Sequence, residues 1–178
     1  MPVNEELLRV LEAREERWNR RLALSRGTGR TLVTATLCLP VAYRTASEFK
    51  ILLRRLCSLL REQLAREGLD LREEEPLDGA DGPALFFTVS APAATVKGRC
   101  VEAEDRLPGG RMLDIDVMDC QGEPVGRTAL GLPPRRCFVC GEAAALCVSR
   151  KVHPKAEIDA RVEQLRRDCL AGLEATEP

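Results

Sequence analysis

The run Gly110-Arg111-Met112-Leu113-Asp114-Ile115-Asp116-Val117 constrains this chain more than any other segment, because it sets two carboxylates at alternate positions of a strongly apolar stretch. Side chains alternate faces along a strand, so Leu113, Ile115 and Val117 share one face while Asp114 and Asp116 share the other. Two acids on one strand face suit a hard cation such as Mg²⁺, which takes one or two protein carboxylates and completes its shell with water and phosphate oxygens. That chemistry is phosphoryl or nucleotidyl transfer, with Gly109-Gly110 permitting close backbone approach and Arg111 offering a guanidinium fork to phosphate. A pair of solvated acids on an edge strand carries the same pattern, so the motif alone leaves both readings open.

The 178 residues fit a single domain, 1–178, and 44% apolar content supplies a core. Lys plus Arg number 27 against 28 Asp plus Glu, so no global charge draws the chain to nucleic acid or to an anionic membrane. Any basic site is local. No apolar run nears the roughly 20 residues of a bilayer span. The start of the chain, with Glu5, Glu6 and an arginine-rich helix, lacks a signal-peptide pattern, which places the protein in the cytoplasm. There, eight cysteines are thiols, core fillers or metal ligands in preference to a disulfide framework.

Periodicity predicts a helix over 4–25, opened by Asn4, striped by Leu7, Leu8, Leu11, Trp18 and Leu22, rich in arginine in its later half and ended by Gly27 and Gly29. Residues 31–41 read as a strand fading at Pro40. A strong helix follows, with Thr45 and Glu48 as a capping box and Gly68 as its stop. A short strand near 69–74, a loop rich in Gly, Asp and Pro, and a buried strand at 85–89 come next. A helix from Pro92 to about Asp105, the acidic strand at 112–118, a strand at 125–130, a short helix at 142–148 and a final helix opened by Pro154 complete the order. This mixture predicts an α+β fold, a mostly antiparallel mixed sheet packed with helices.

Two further constellations stand out. Leu132-Pro133-Pro134-Arg135-Arg136 holds two arginines behind a stiffened turn, suited to several phosphates at once, or else a loop with two solvated charges. Cys137, Cys140, Cys147 and His153, the only histidine, form a C-x2-C-x6-C-x5-H array that would close a tetrahedral structural zinc site. Cys147 packing as a small buried hydrophobe is the competing reading. Four protein ligands would leave no open position for catalytic zinc. The sequence contains no G-x-S-x-G, Walker A loop or dinucleotide fingerprint.

Taken together, Pro108-Gly109-Gly110-Arg111-Met112-Leu113-Asp114-Ile115-Asp116-Val117, the Leu132–Cys140 segment and Cys147-Val148-Ser149-Arg150-Lys151-Val152-His153 closely resemble the holo-citrate lyase synthase family, the apo-citrate lyase phosphoribosyl-dephospho-CoA transferases. Arg14-Glu15-Glu16-Arg17 looks like that family's R-[DE]-E-R element, and Lys97, Glu102 and Glu104 fall at the expected distances ahead of the Gly-Arg pair. Leu113 stands where a bulky aromatic is expected.

The resemblance implies a nucleotidyltransferase that moves the phosphoribosyl-dephospho-CoA group from its triphosphoribosyl precursor to a serine of the acyl carrier (gamma) subunit of apo-citrate lyase, with release of pyrophosphate. It implies Asp114 and Asp116 as catalytic Mg²⁺ ligands and Arg14, Arg17, Arg111, Arg135, Arg136 and Lys151 as substrate-binding groups, with Glu102 or Glu104 as candidates for a third carboxylate. By fold-level analogy, the strand, helix and D-x-D strand resemble nucleotidyltransferases in outline. Arg135, Arg136, Arg150, Lys151 and Lys155, with the arginines of the first helix, serve either the precursor's phosphates or an acidic carrier. The alternatives are the same transfer to a carrier of the malonate decarboxylase type, and a non-enzymatic zinc-stabilised binding module.

Overall fold

A computed structural model describes residues 4–175. Its centre is β1, Thr31–Leu37, buried at every position. β1 is flanked on one side by β4, Gly82–Val89, and on the other by β5, Leu113–Met118. Two-residue strands, β2 at Arg72–Glu73 and β6 at Pro124–Val125, close the edges, giving the order β2-β4-β1-β5-β6; β3, Leu77–Gly79, forms a hairpin with β4. Every pairing among the described residues is antiparallel. The fold is the α+β arrangement read from the sequence.

One sheet face bears Val33, Ala35, Leu37, Leu85, Phe87, Leu113, Ile115 and Val117, all in the main core. Three helices cover it: α3, Ser47–Arg66; α4, Ala93–Arg106; and α6, Lys155–Glu174, which contributes Val162, Leu165, Cys169 and Leu173. Leu113 is fully buried there, so a leucine fills the place where an aromatic was expected.

The opposite face carries a small cluster of Leu32, Ala84, Phe86 and Met118 under Leu24 of α1, Glu5–Thr28. Asn4 caps α1 by accepting from the Glu6 N–H at 3.0 Å, and Gly29, at φ 63, ends it in the left-handed conformation. The buried face of α1 is the Ala13, Leu24, Ser25 side, whereas Leu7, Leu8, Leu11 and Trp18 are exposed.

Several expected elements are adjusted. The strand expected to run to residue 41 stops at Leu37, and a four-residue helix, α2 at Val41–Arg44, follows Pro40. Thr45 makes no capping box: its hydroxyl donates back to Val41 O at 3.0 Å, and Ala46 is the N-cap residue of α3. The strand expected at 125–130 shrinks to Pro124–Val125 before a 3-10 turn at Arg127–Leu130, bounded by Gly126 and by Gly131 at φ 67. The last short helix, α5, spans Ala144–Arg150.

Candidate active site

Register builds the site. β5 pairs with β1 so that Asp114 lies opposite Thr36 and Asp116 opposite Thr34. All four side chains therefore share the face under α1. The carboxylates are about half exposed, at 47% and 52%, while Thr34 and Thr36 are buried.

α1 roofs this face with arginine. Residues 13, 17, 21 and 24 recur at helical spacing, so Arg17 and Arg21 hang from the same side as Ala13 and Leu24. Arg21 reaches Asp116 at 3.2 Å. Arg17 pairs with Asp81, which is 1% exposed in the turn joining β3 to β4. Arg44 enters the same electrostatic neighbourhood, under the influence of Asp81, Arg17, Arg14 and Asp114. Burial lowers the proton affinity of both Arg21 and Arg44, opposed chiefly by Asp116 and by Asp81 respectively. Burial likewise raises Asp114 above the usual carboxylate range, helped by the neighbouring charge of Asp116 and opposed by Arg135. Arg21 Nε, Arg44 Nε and Thr34 Oγ1 are buried and lack a hydrogen-bond partner.

Beneath the acids lies a second charged layer. Glu104 of α4, 2% exposed, accepts from the Ile115 N–H at 3.0 Å and pairs with Arg127 and, at 3.2 Å, with Arg135. Lys97, buried one pair of helical turns earlier, donates to Ile115 O. Helix α4 thus grips the β5 backbone between the two acids. Glu104 is an internal anchor; the other candidate third carboxylate, Glu102, pairs with Arg99 at 3.2 Å.

Arg135 is the hub of the adjoining loop. Its guanidinium donates to Arg111 O at 3.0 Å, to Leu113 O and toward Cys38 Sγ at 3.2 Å, and faces Asp114 at 3.5 Å. Arg111 donates in turn to Arg136 O at 2.8 Å. The Arg14 and Arg136 side chains are exposed. Gly109 and Gly110 do permit close approach, though to helices: a Cβ on Gly110 would stand 2.6 Å from Ala103 O, and Gly109, at φ 73, leaves no room for one beside Cys169 Sγ.

The loop continues into a second cluster. The ligand atoms of Cys137, Cys140, Cys147 and His153 lie within 4.8 Å of one another, a group that could hold a metal ion. Cys140 Sγ and Cys147 Sγ are 3.5 Å apart, and Cys137 Sγ is 3.6 Å from His153 Nε2. The other ring nitrogen, Nδ1, meets Glu157 Oε2 at 3.0 Å. The hydrogen bond to Glu157 holds the His153 imidazole up at about 9. Cys137 sits at about 7: burial pushes it up, but the Cys140 and Val139 backbone N–H groups and the neighbouring thiols outweigh that.

Of the residues expected to act, the structure brings Asp114 and Asp116 onto one sheet face, with Arg17 in the helix above and Arg135 beside Asp114, and gathers the cysteine array as a unit. Lys151 lies beyond that array, capping α5 at φ 49. Sequence reading missed Arg44, Asp81 and Thr34, and marked Arg21 only as one of the arginines of the first helix. The Asp-Gly steps at 78–79 and 81–82 signal a hairpin turn, but nothing local announces that Asp81 is buried against α1.

The α+β sheet sets two acids beneath a roof of arginines, an arrangement whose guanidinium groups suit anionic ligands. The family model of the apo-citrate lyase phosphoribosyl-dephospho-CoA transferases matches residues 5–169. Proteins of that name from Escherichia coli O7:K1 and Shigella flexneri serotype 5b are each 31% identical over 159 residues, 89% of this chain and 87% of theirs. The chain belongs to this transferase family. Among the described residues no helix is long and apolar enough to cross a membrane.

Proposed function

We propose that this protein transfers the phosphoribosyl-dephospho-CoA group from its triphosphoribosyl precursor to a serine of the acyl carrier subunit of apo-citrate lyase, in the cytoplasm, with pyrophosphate leaving. The observation that carries the reading is the placement of Asp114 and Asp116 on one sheet face, opposite Thr36 and Thr34 and under Arg17 and Arg21. Arginine forks match phosphate oxygens, and Arg21 Nε, Arg44 Nε and Thr34 Oγ1 retain buried hydrogen-bonding capacity beside the acids.

The two acids fit Mg²⁺, being half exposed, adjacent and accompanied by a neutral hydroxyl. Bound there, Mg²⁺ would neutralise charge on the phosphates of the donor. Asp114 and Asp116 would hold it. Arg17, Arg21 and Arg44 on one side, and Arg136 with Arg14 at the rim, bind the triphosphate and stabilise the charge that gathers on the departing pyrophosphate. Arg135 orients Asp114 and ties its loop to β5. The carrier serine oxygen attacks the inner phosphorus in line with the leaving oxygen, so one P–O bond forms as the bond to pyrophosphate breaks and the serine hydroxyl proton passes to solvent.

The cysteine cluster supports a structural zinc site. Ligand atoms bound to one zinc at about 2.3 Å stand roughly 3.8 Å apart, close to the 3.5 and 3.6 Å separations present. The Glu157–His153 contact supplies the carboxylate that zinc-bound imidazoles commonly use to fix their tautomer.

The decisive experiment incubates the protein and Mg²⁺ with triphosphoribosyl-dephospho-CoA and the apo-carrier subunit, and follows the carrier by intact mass. A mass gain of one phosphoribosyl-dephospho-CoA, with pyrophosphate released in equal amount, is expected. An unmodified carrier under saturating conditions overturns the reading.

A further inference from the structure

A cavity of about 700 Å³ lies beyond Arg135, between α2, the cysteine cluster and α6. Its wall is mainly apolar, with Ala42, Tyr43, Phe138, Val139 and Ile158 among the lining groups. The volume lies within the range of about 300–1,000 Å³ typical of small-ligand sites. A carrier protein, by contrast, needs a patch of about 800 Å².

Its position relative to the two carboxylates is set by two chain segments. Cys38 and Arg135 touch each other beside Asp114. Two residues on along each segment, Pro40 and Cys137 line the cavity. Two residues span at most about 7 Å, so the groups beside Asp114 and the cavity wall lie within reach of one long ligand. Lys151 also lines the cavity, with no acidic side chain in ion-pair distance among the described residues, whereas Lys155 is taken by Asp159. Cys137, Cys147 and His153 form part of the wall, so a metal held by the cluster would also keep the far side of this cavity in shape.

We propose that the cavity receives the dephospho-CoA end of the donor, with adenine and pantetheine against the apolar wall and the diphosphate between them facing Lys151. This rests on the donor of the proposed transfer reaction. It divides the donor by chemistry. The triphosphate is a compact polyanion that suits the arginine cleft, while the adenine and pantetheine carry no charge and gain most from leaving water.

The test uses the full chain with two probes, dephospho-CoA for the cavity and inorganic triphosphate for the cleft, each titrated by calorimetry. Ala42→Trp and Val148→Trp fill the cavity from exposed positions, so the core is untouched and melting temperature should not move. Each should weaken dephospho-CoA binding about tenfold or more, leave triphosphate binding unchanged, and raise the KM for the donor but not for the carrier. Lys151→Ala should weaken dephospho-CoA binding without filling any space. Unchanged dephospho-CoA affinity in all three variants overturns the proposal, as does a rise in the KM for the carrier alone, which would make the cavity a protein dock. If the wild-type chain modifies no carrier yet loses dephospho-CoA binding in these variants, the cavity assignment stands and the proposed reaction falls. If it modifies the carrier and the variants bind dephospho-CoA normally, only the cavity assignment falls.

Discussion

Asp114 and Asp116 differ from ordinary surface acids in their company: Arg135 stands 3.5 Å from the first and Arg21 3.2 Å from the second. Asparagine at either position keeps the size and loses the charge. Asp114→Asn and Asp116→Asn are therefore expected to melt close to wild type and to lower transfer by about 10²–10³, the usual cost of one important electrostatic contact; near-wild-type turnover of both with saturating substrates would remove the metal role. Arg135 and Arg136 are adjacent in sequence yet differ in what they hold. Arg135→Lys cannot reproduce contacts to Arg111 O, Leu113 O, Glu104 and Asp114 at once, so it should lower both melting temperature and rate, whereas Arg136→Lys, on an exposed side chain, should act on the KM for the donor alone. Glu104→Gln leaves Arg127 without its anion and Arg135 with Asp114 alone; with both arginines keeping some solvent, the loss should be about 3 kcal/mol, the low end for breaking a buried pair. Urea denaturation reads it directly.

At the scale of elements, the hairpin of short segments from Arg135 to Lys155 has little core of its own. Arg136 bridges Ala143 in antiparallel fashion, Cys137 N–H donates to Glu142 O at 2.6 Å, and α5 buries only Cys147. A metal supplies what packing does not. The purified chain should carry about one equivalent of zinc by elemental analysis. Cys140→Ser should lose that zinc and raise amide exchange across 136–153, while β1, β4 and β5 stay protected. Zinc-free protein with an unchanged exchange pattern would leave the cysteines as plain thiols. The turn before β5 is just as demanding for a different reason. Gly109 is both left-handed, at φ 73, and pressed on Cys169 and Leu56, so Gly109→Ala adds backbone strain of about 1–2 kcal/mol to overpacking of about 1–3 kcal/mol. A denaturant midpoint equal to wild type would contradict that packing.

At the scale of the whole molecule, the formal charge of −1 conceals a division of labour. One sheet face is given to the main apolar core under three helices, and the other is shared by a small apolar cluster and the charged groups under α1. Since the cleft is lined by partly exposed arginines, raising ionic strength from about 0.05 to about 0.5 M should increase the KM for the triphosphoribosyl donor severalfold by screening, with little change in melting temperature; a KM indifferent to salt would show that the phosphates are not held there. Much of this plan was legible along the chain. The alternation from Leu113 to Val117 dictated a two-faced strand, helical spacing marked α3, α4 and α6, and the Cys-x2-Cys array announced a cluster, because each signal has a period or a spacing shorter than one element. Tertiary structure alone decided that α1 turns its arginine side inward and leaves Leu7, Leu8 and Leu11 outside, that Glu104 is an anchor beneath the sheet, that Asp81 is buried beside Arg17, and that a cavity opens behind the cysteines. Those outcomes depend on pairings between residues some 20 to 100 positions apart in sequence, as with Arg21 and Asp116, and no local pattern records which distant charge a buried group will meet.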